Sequence, residues 1–341
     1  MPLLTEKGVF IIAEAGVNHN GCIDTAKRLV DAAVKSGADA VKFQTFVPEQ
    51  VVAKGAERAP YQQANIQYNA ESQLEMLRRL MLPVEEFGEI MAYCDRMGIM
   101  FLSTPFDFYS VDLLDRMDVP IFKIASGELT NLPFLKYVAA KDRPLILSTG
   151  MATLGEVEEA LQTLQDAGAQ ELTLLHCTSN YPAPFEEVNL KAMFTLRQAF
   201  GLPVGYSDHT PGTEVAVAAV ALGACVIEKH FTLDRNMDGP DHKASLEPGE
   251  LTAMVKAIRN VEKAIGDGFK RPGPGEKEIM RVARRSLVAA VDIAAGEIIT
   301  PEKLAVKRPG TGIPSKMWDV VVGRLAKTDI PADTVITWKM I

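Results

Sequence analysis

The sequence predicts an α/β protein: a (β/α)8 TIM barrel followed by a small β-rich domain. Three observations carry this. Short apolar, β-branched runs alternate with segments whose apolar residues recur at helical spacing. Glycine closes several helical segments just before the next run, in Ser36-Gly37-Ala38, Met97-Gly98-Ile99, Ala167-Gly168-Ala169 and Leu222-Gly223-Ala224. A Gly/Pro-rich stretch, GDGFKRPGPGEKE, then sets the end of the chain apart. Eight βα units over about 265 residues suit such a barrel. A doubly wound open sheet has a similar alternation and is the other arrangement the pattern allows.

The strand candidates, in order, are Phe10 to Val17, Ala40 to Phe46, Met100 to Pro105 and Ile121 to Ser126, then Leu145 to Thr149, Leu172 to Thr178, Pro203 to Ser207 and Cys225 to Phe231. Thr25 to Ser36 and Leu154 to Ala167 are examples of the helices between them. One interval breaks the rhythm. Between the second and third strands, "APYQQANIQYNAESQLEML" gathers Tyr61, Gln62, Gln63, Asn65, Gln67, Tyr68 and Asn69. Such an amide-rich segment suits hydrogen bonding to a sugar as a mobile lid, or is a solvated surface loop. Glu250 to Ile265 reads as the last barrel helix, with Leu251, Met254, Val255, Ile258, Val261 and Ile265 as its apolar stripe. The expected division is a barrel over 1–268, a linker over 269–282 and a small domain over 283–341. Within the last, Ser286 to Val291, Glu297 to Ile299 and Val335 to Trp338 are β-like. A unit that small has little core of its own and is expected to dock on the barrel or on another subunit.

Composition narrows the function. The chain has 341 residues, 47% of them hydrophobic, and a net charge of −8. With no Lys/Arg block, neither nucleic acid nor an anionic membrane is an expected partner. No apolar run approaches the ~20 residues of a membrane span, and MPLLTEKG lacks the character of a signal peptide. Cys22, Cys94, Cys177 and Cys225 are scattered without a CxxC and read as reduced core residues of a cytoplasmic protein.

Chemistry gathers where the runs end, the face on which such barrels place their active sites. The ends supply Glu14, Asn18 and His19; Lys42, Gln44 and Thr45; Ser103, Thr104 and Asp107; and Lys123, Ser126 and Glu128. Then come Ser148 and Thr149; His176, Ser179, Asn180 and Tyr181; Ser207, Asp208 and His209; and Glu228, Lys229 and His230. A structural protein has no reason to desolvate so many polar groups. His209 and His230 end neighbouring strands, close enough to share a divalent ion, with Glu14, Asp208 or Asp241 nearby; alternatively they are hydrogen-bonded structural histidines. Lys42 and Lys123 sit in otherwise apolar strands. With Thr104, Ser126, Ser148 and Ser207 they suit an anion site for phosphate and carboxylate. The other uses are Schiff-base chemistry and a structural ion pair such as Lys123 with Glu128. Glu14 is a candidate for proton handling, or a neutralising partner of Lys42. Neither GxGxxG nor GxxxxGK[ST] is present.

Several stretches resemble the bacterial sialic acid synthases. They are "IIAEAGVNHNG" (11–21), "VKFQTF" (41–46), "FLSTPFD" (101–107), "FKIASGELTNLP" (122–133), "ILSTGMA" (146–152), "LLHCTSNYPAPFEEVNL" (174–190), "GYSDHTPG" (205–212) and "IEKHFTLDRNMDGPDHKASLEP" (227–248). "KRPGTGI" (307–313) resembles their C-terminal antifreeze-like (SAF) domain. The resemblance implies a domain-swapped homodimer in which each small domain covers the partner's active site. It implies condensation of phosphoenolpyruvate with an open-chain N-acetylated mannosamine-type aldehyde, with C–O cleavage and release of phosphate. A divalent ion is implied, Mn²⁺ by expectation, with Mg²⁺ or Co²⁺ as alternatives. By the same resemblance His209 and His230 hold the metal. Lys42, Thr104, Lys123, Ser126, Ser148 and Ser207 hold phosphoenolpyruvate. Glu14, Gln44, Tyr181 and Asp241 face the sugar or the metal-bound water, and Arg308 contacts the N-acetyl group. Ser179 stands where some members carry Asn, and the segment containing Asn65 and Asn69 aligns in more than one way. Both regions face the variable part of the sugar. That part is N-acetylmannosamine in the N-acetylneuraminate synthases and 2,4-diacetamido-2,4,6-trideoxymannose in the legionaminic acid synthases. Pseudaminic acid synthases are a further relative. A lysine Schiff-base pyruvate aldolase and a noncatalytic carbohydrate binder are the rival readings.

Overall fold

A computed structural model describes residues 8–65 and 72–341. Gln67, Tyr68 and Asn69 lie outside the described residues. The chain divides into two compact units, the first ending at Gly266 and the second spanning Asp267–Ile341.

The first unit is built on parallel strands β1 (Phe10–Gly16), β2 (Ala40–Thr45), β3 (Met100–Pro105), β4 (Phe122–Ile124), β5 (Leu145–Ser148), β6 (Leu172–Cys177), β7 (Val204–Asp208) and β8 (Val226–His230). Hydrogen-bonded neighbours run in the order β3-β2-β1-β8-β7-β6-β5-β4. β3 and β4, the two ends of this order, pack side by side without a ladder and bring the sheet round on itself. This is the TIM barrel, not the open doubly wound sheet. β1, β2, β5 and β6 are one residue shorter than the expected runs, β8 two and β4 three, because flanking positions such as Val17 and Phe46 belong to loops; β3 matches its run and β7 is shifted by one residue to end at Asp208.

Helices α1 (Ile23–Ser36), α2 (Pro48–Val51), α3 (Pro60–Asn65), α4 (Gln73–Leu80), α5 (Val84–Met97), α6 (Phe108–Arg116) and α7 (Leu132–Ala139) follow in turn. α8 (Leu154–Asp166), α9 (Ala192–Phe200), α10 (Glu214–Ala221) and α11 (Pro248–Ile265) complete the unit. Gly37 ends α1 and Gly98 ends α5 in the left-handed conformation, φ 78° and 73°, where a side chain would be strained. The outward faces of the strands pack on the helices in one continuous apolar core. Inside the barrel, Phe10, Ile12, Ala40, Leu102, Ile121, Ile146, Leu175 and Val226 form a second apolar cluster, which plugs its lower half. Gly205 belongs to this crowded interior: a Cβ there would lie 2.4 Å from the Val226 carbonyl. The interval expected to be a lid or a solvated loop contains α2, α3 and α4.

The first helix of the second unit is α12 (Glu276–Ala283), which occupies the end of the stretch expected to be linker and runs one residue past it. β9 (Ser286–Ala289) and β10 (Leu304–Lys307) pair antiparallel, and α13 (Trp318–Val321) follows. The runs at 297–299 and 335–338 do not form regular strands; each contributes an isolated bridge, Ile298 to Leu325 and Val288 to Val335. Leu287, Ile293, Ile299, Ile313, Ile330 and Ile336 centre a separate small core. All four cysteines are free; Cys22 is exposed and Cys225 half-buried, so only Cys94 and Cys177 are core residues. Among the described residues no helix is long and apolar enough to cross a membrane.

Candidate active site

Strand parity builds the site. Successive side chains on a strand alternate between the barrel interior and the helix layer. On β1 the inward series runs Phe10, Ile12, Glu14; on β2 it runs Ala40, Lys42, Gln44; on β8 it runs Val226, Glu228, His230. Each series is apolar low in the barrel and polar above. Lys42 and Lys123 were expected at strand ends, but both lie within their strands, one inward step up from the apolar plug. Glu14, Lys42 and His230 share adjacent register positions across β2, β1 and β8.

These residues line one cavity of about 410 Å³. Glu14, Lys42, Gln44, Thr104, Lys123, Ser126, Ser148, Ser179, Tyr181, Ser207, His209, His230 and Asp241 all reach it. Arg308 is exposed and lies in the second unit. Glu228, counted among the strand-end polar groups but given no role, is the centre of the charge cluster. Its carboxylate lies 3.2 Å from Lys123 Nζ and 3.6 Å from Lys42 Nζ, and accepts a 2.8 Å hydrogen bond from Ser207 Oγ. The signal for it was parity, since it stands two residues before His230 on the same face. Lys123 therefore pairs with Glu228, not with Glu128, which accepts from Asn131 at the surface. Lys42 Nζ also sits 2.7 Å from Glu14 Oε2 and donates to Thr104 Oγ1 at 2.8 Å.

Burial governs the protonation of this cluster. It pushes Glu14 up to about 7, helped by the neighbouring Glu228 and opposed by Lys42. Burial also opposes the charge on Glu228, but Lys123 and Lys42 outweigh it and hold that carboxyl well below its usual range. Lys42 is lowered by burial but raised more by Glu14 and Glu228, so it stays charged. Burial lowers Lys123, against the pull of Glu228.

The two histidines meet above this floor. Their ring centroids are 5.5 Å apart at 45°. Tyr181 packs on His209 at 4.1 Å. His209 Nδ1 contacts the Thr178 carbonyl at 2.8 Å; donation from that nitrogen leaves Nε2 as the free lone pair. His230 Nδ1 is buried without a hydrogen-bond partner among the described residues. Burial lowers His230 far below the usual histidine range, assisted by His209, so it is a neutral imidazole. Imidazole nitrogens bind first-row divalent ions at about 2 Å. Two rings sharing one ion would then have centroids roughly 5 Å apart, as these do, so the pair fits a metal. Among the described residues no trio of His, Cys, Asp and Glu side chains converges to hold an ion by itself. Two protein ligands would leave positions open. Asp241, raised to about 6 by burial, lines the same cavity.

Asp208 does not join this set. It has the opposite parity from Ser207 and His209 and is fully buried against Lys229, whose Nζ donates to Asp208 Oδ2 at 2.7 Å. Its other oxygen accepts from Tyr206 Oη, Thr210 N and Thr210 Oγ1. The pair bridges β7 and β8 one residue before each histidine. Asn18, His19 and His176 do not line the cavity either. Asn18 donates to the Phe231 carbonyl and Ser245 Oγ, and Ser245 Oγ donates to the Asp241 carbonyl, so it pins the loop that carries Asp241. His176 Nε2 bonds the Val188 carbonyl at 2.7 Å. Asn65 Nδ2 donates to the Pro240 carbonyl at 2.8 Å, beside Asp241.

Residues 29–270 match the NeuB family, and residues 284–341 match the SAF domain. The chain belongs to the NeuB family. It is 52% identical over 332 residues to an N,N'-diacetyllegionaminic acid synthase of Campylobacter jejuni, covering 97% of this chain and 99% of that one. A second protein of that name, from Legionella pneumophila, is 48% identical, with 97% and 94% covered. Among solved structures, an N-acetylneuraminic acid (sialic acid) synthetase from Leptospira borgpetersenii superposes with a TM-score of 0.71 at 34% identity. That match covers 80% of this chain and 90% of that one. For a NeuB-family chain the parity of the strands thus explains why the motifs cluster as they do: each ends a strand whose last inward side chains are polar.

Proposed function

We propose that this NeuB-family chain condenses phosphoenolpyruvate with the open-chain form of an N-acetylated mannosamine-type sugar. The product is a nine-carbon keto-sugar acid, N-acetylneuraminate or N,N'-diacetyllegionaminate, with release of phosphate. The observation that carries the reading is the convergence of two buried lysines, a ring of hydroxyls and two imidazoles in one cavity. The identity to two proteins named N,N'-diacetyllegionaminic acid synthase brings the 2,4-diacetamido sugar forward.

Lys42 and Lys123 supply the positive charge for the phosphate and carboxylate of phosphoenolpyruvate. Thr104, Ser126, Ser148 and Ser207 supply hydrogen bonds around them. Ser148 Oγ is buried without a partner among the described residues, and Gly150 N donates to Ser126 Oγ at 3.0 Å, which orients that hydroxyl. His209 and His230 would hold a divalent ion, Mn²⁺ by preference with Mg²⁺ or Co²⁺ as substitutes, which when bound polarises the aldehyde oxygen. C3 of phosphoenolpyruvate forms the new bond to the aldehyde carbon, water adds at C2, and the C2–O bond to phosphate then breaks. Glu14, near neutrality, can both take and give a proton at pH 7. It is placed beside Gln44, with Nε2 at 3.5 Å, and the pair addresses the water or a sugar hydroxyl. Asp241 and Tyr181 complete the sugar side with Ser179. Arg308 would reach the N-acetyl group of a site on the partner subunit in a domain-swapped homodimer. Free cysteines fit a reducing, cytoplasmic location.

The lowering of Lys123 favours one rival, a Schiff-base aldolase, since it makes a neutral amine accessible. Phosphate release from phosphoenolpyruvate, measured across a panel of aldehyde sugars, separates the two. Condensation requires stoichiometric phosphate and loss of activity on chelation. Inactivation by borohydride with pyruvate, with no phosphate released from phosphoenolpyruvate with any sugar, would overturn the reading.

A further inference from the structure

The ladder between β7 and β8 ends at the pairing of Asp208 with Lys229. His209 and His230 stand one residue beyond that last pairing. From there on, side chains tie the two strand ends together. Lys229 Nζ donates to Asp208 Oδ2 at 2.7 Å. Thr210, the residue after His209, is held by three bonds. Its N–H and its hydroxyl donate to Asp208 Oδ1 at 2.9 and 2.8 Å, and its carbonyl accepts from Lys229 Nζ. His209 is therefore bracketed: the residues on both sides of it are bonded to the residue that precedes His230.

Stability alone does not call for such a pair. Asp208 and Lys229 are fully buried and neither lines the cavity. Two buried charges lose their hydration, and well-packed apolar side chains of similar volume commonly stabilise a core as well or better. What apolar side chains lack is direction. A carboxylate and an ammonium that share several hydrogen bonds admit one arrangement of the backbone that carries them. The two histidines need that, because each is otherwise anchored to a different neighbour. On the β6 side, Ala183 N donates to the His209 carbonyl at 2.8 Å. On the β1 side, Phe231 N donates to the Glu14 carbonyl at 2.9 Å, and Leu246 N donates to the His230 carbonyl at 2.9 Å. The knot of Asp208, Lys229 and Thr210 joins these two sets of anchors at the level of the rings.

We propose that Asp208 and Lys229 are positioning residues for the two imidazoles. The pair fixes the separation and tilt at which His209 and His230 face a shared divalent ion, and it takes no part in holding phosphoenolpyruvate. This rests on the reading of the two histidines as metal ligands and adds to it the groups that set their geometry. The charged floor does not depend on the pair in the same way. Ser207 and Glu228 face each other within the ladder, one residue below it, and are joined by their own hydrogen bond. Loss of the pair should therefore loosen the histidines and leave the floor in place.

The test uses the full chain and two probes in calorimetry: Mn²⁺ alone, and phosphoenolpyruvate titrated into chelated protein. Asp208→Leu combined with Lys229→Met removes both charges at once, so that neither is stranded. In the folded double variant Mn²⁺ affinity should fall about 10- to 100-fold, the usual loss when the groups that orient metal ligands are removed. Affinity for phosphoenolpyruvate should stay as in the wild type. Should the double variant fail to fold, Thr210→Val keeps the ion pair and removes one of its bonds; Mn²⁺ affinity should then fall, again with phosphoenolpyruvate binding intact. Wild-type affinity for Mn²⁺ in the folded variant overturns the inference while the metal reading stands. A parallel loss of both ligands also overturns it, since the pair would then merely support this end of the barrel. A wild type that binds no Mn²⁺, or binds it as tightly after His209→Ala and His230→Ala, sinks the metal reading and the inference together.

Discussion

Replacing Glu14 by Gln should change how the stability of the metal-free protein depends on pH. In the folded chain burial raises Glu14 from 4.5 to about 7. Between those values the native state binds a proton that the unfolded state has released. Stability therefore falls as pH rises through this window, because ionising the folded carboxyl becomes an increasing cost. At about 1.4 kcal/mol per pH unit, the full effect is on the order of 3 kcal/mol. For a barrel of this size that is roughly 6–12 °C in Tm. Glutamine keeps the shape but cannot ionise, so the variant should lack this descent. The assay is thermal or urea unfolding of chelated protein from pH 5 to 7.5, wild type against Glu14→Gln. Glu228 works in the opposite sense and lower: its stabilising contribution is present above 4.5 and is lost as pH falls below that. Asp241, raised to about 6, adds a descent of its own below that pH in both proteins, and the difference between them removes it. Parallel curves for the two proteins across the window would refute the reasoning, since Glu14 would then be ionised throughout.

Three other outcomes follow from the same geometry. His209→Ala or His230→Ala should weaken Mn²⁺ binding by at least about tenfold in calorimetry while the barrel stays folded; unchanged affinity in both would remove the metal assignment. Lys229→Met strands the buried Asp208 carboxylate and should cost about 3–5 kcal/mol in urea unfolding; a loss under 1 kcal/mol would mean the pair is not held as described. Arg308→Ala should cut turnover about ten- to a thousandfold, the range of a lost charged hydrogen bond at about 1.4–4 kcal/mol. Mixing that chain with a His209→Ala chain should restore activity if Arg308 serves the partner's site; verified heterodimers with none regained would show that it does not.

The barrel was legible because its signals are local. Apolar runs, helical stripes and closing glycines each report on a few residues, and their number and order leave few architectures. The polar ends were legible too, but their depth was not. Lys42 and Lys123 were expected at strand ends because an isolated buried lysine is costly. They stand lower because Glu14 and Glu228 neutralise them; the Glu14–Lys42 pair was one of the expected alternatives, whereas the pairing of Glu228 with both lysines spans strands that no single run connects. Counting every second residue back from His230 would have placed Glu228 inside and Lys229 outside, and the same count from His209 would have turned Asp208 outward. The insertion was misjudged for another reason. Its glutamines drew attention to hydrogen bonding, while the helical spacing of Met76, Leu77 and Leu80, which the cavity opens on, was not singled out. Likewise α12 was hidden in a stretch rich in glycine and proline, where short helices leave little signature.

If phosphoenolpyruvate takes the charged floor as proposed, the charge cluster also sets how it binds. With Glu14 protonated, Lys42, Lys123 and Glu228 leave the floor with one net positive charge; with Glu14 ionised the floor is neutral. At pH 7 the two forms are about equally populated, since Glu14 is raised to about 7. Phosphoenolpyruvate brings several negative charges next to this carboxyl, in a site where burial already penalises its ionised form. A nearby like charge raises a carboxyl further. Binding should therefore favour the protonated form and draw a proton from solution, up to about half a proton at pH 7 from this group alone. Titrating phosphoenolpyruvate into the chelated protein by calorimetry, in buffers of different ionisation enthalpy, measures that uptake directly. It should grow as pH rises from 6 to 8, and Glu14→Gln should leave only the proton exchange of the phosphate itself, which beside two lysines is a release. Equal uptake in wild type and variant would mean that Glu14 keeps its charge beside the bound anion, and that it cannot be the group that holds the proton when the carbon–carbon bond forms.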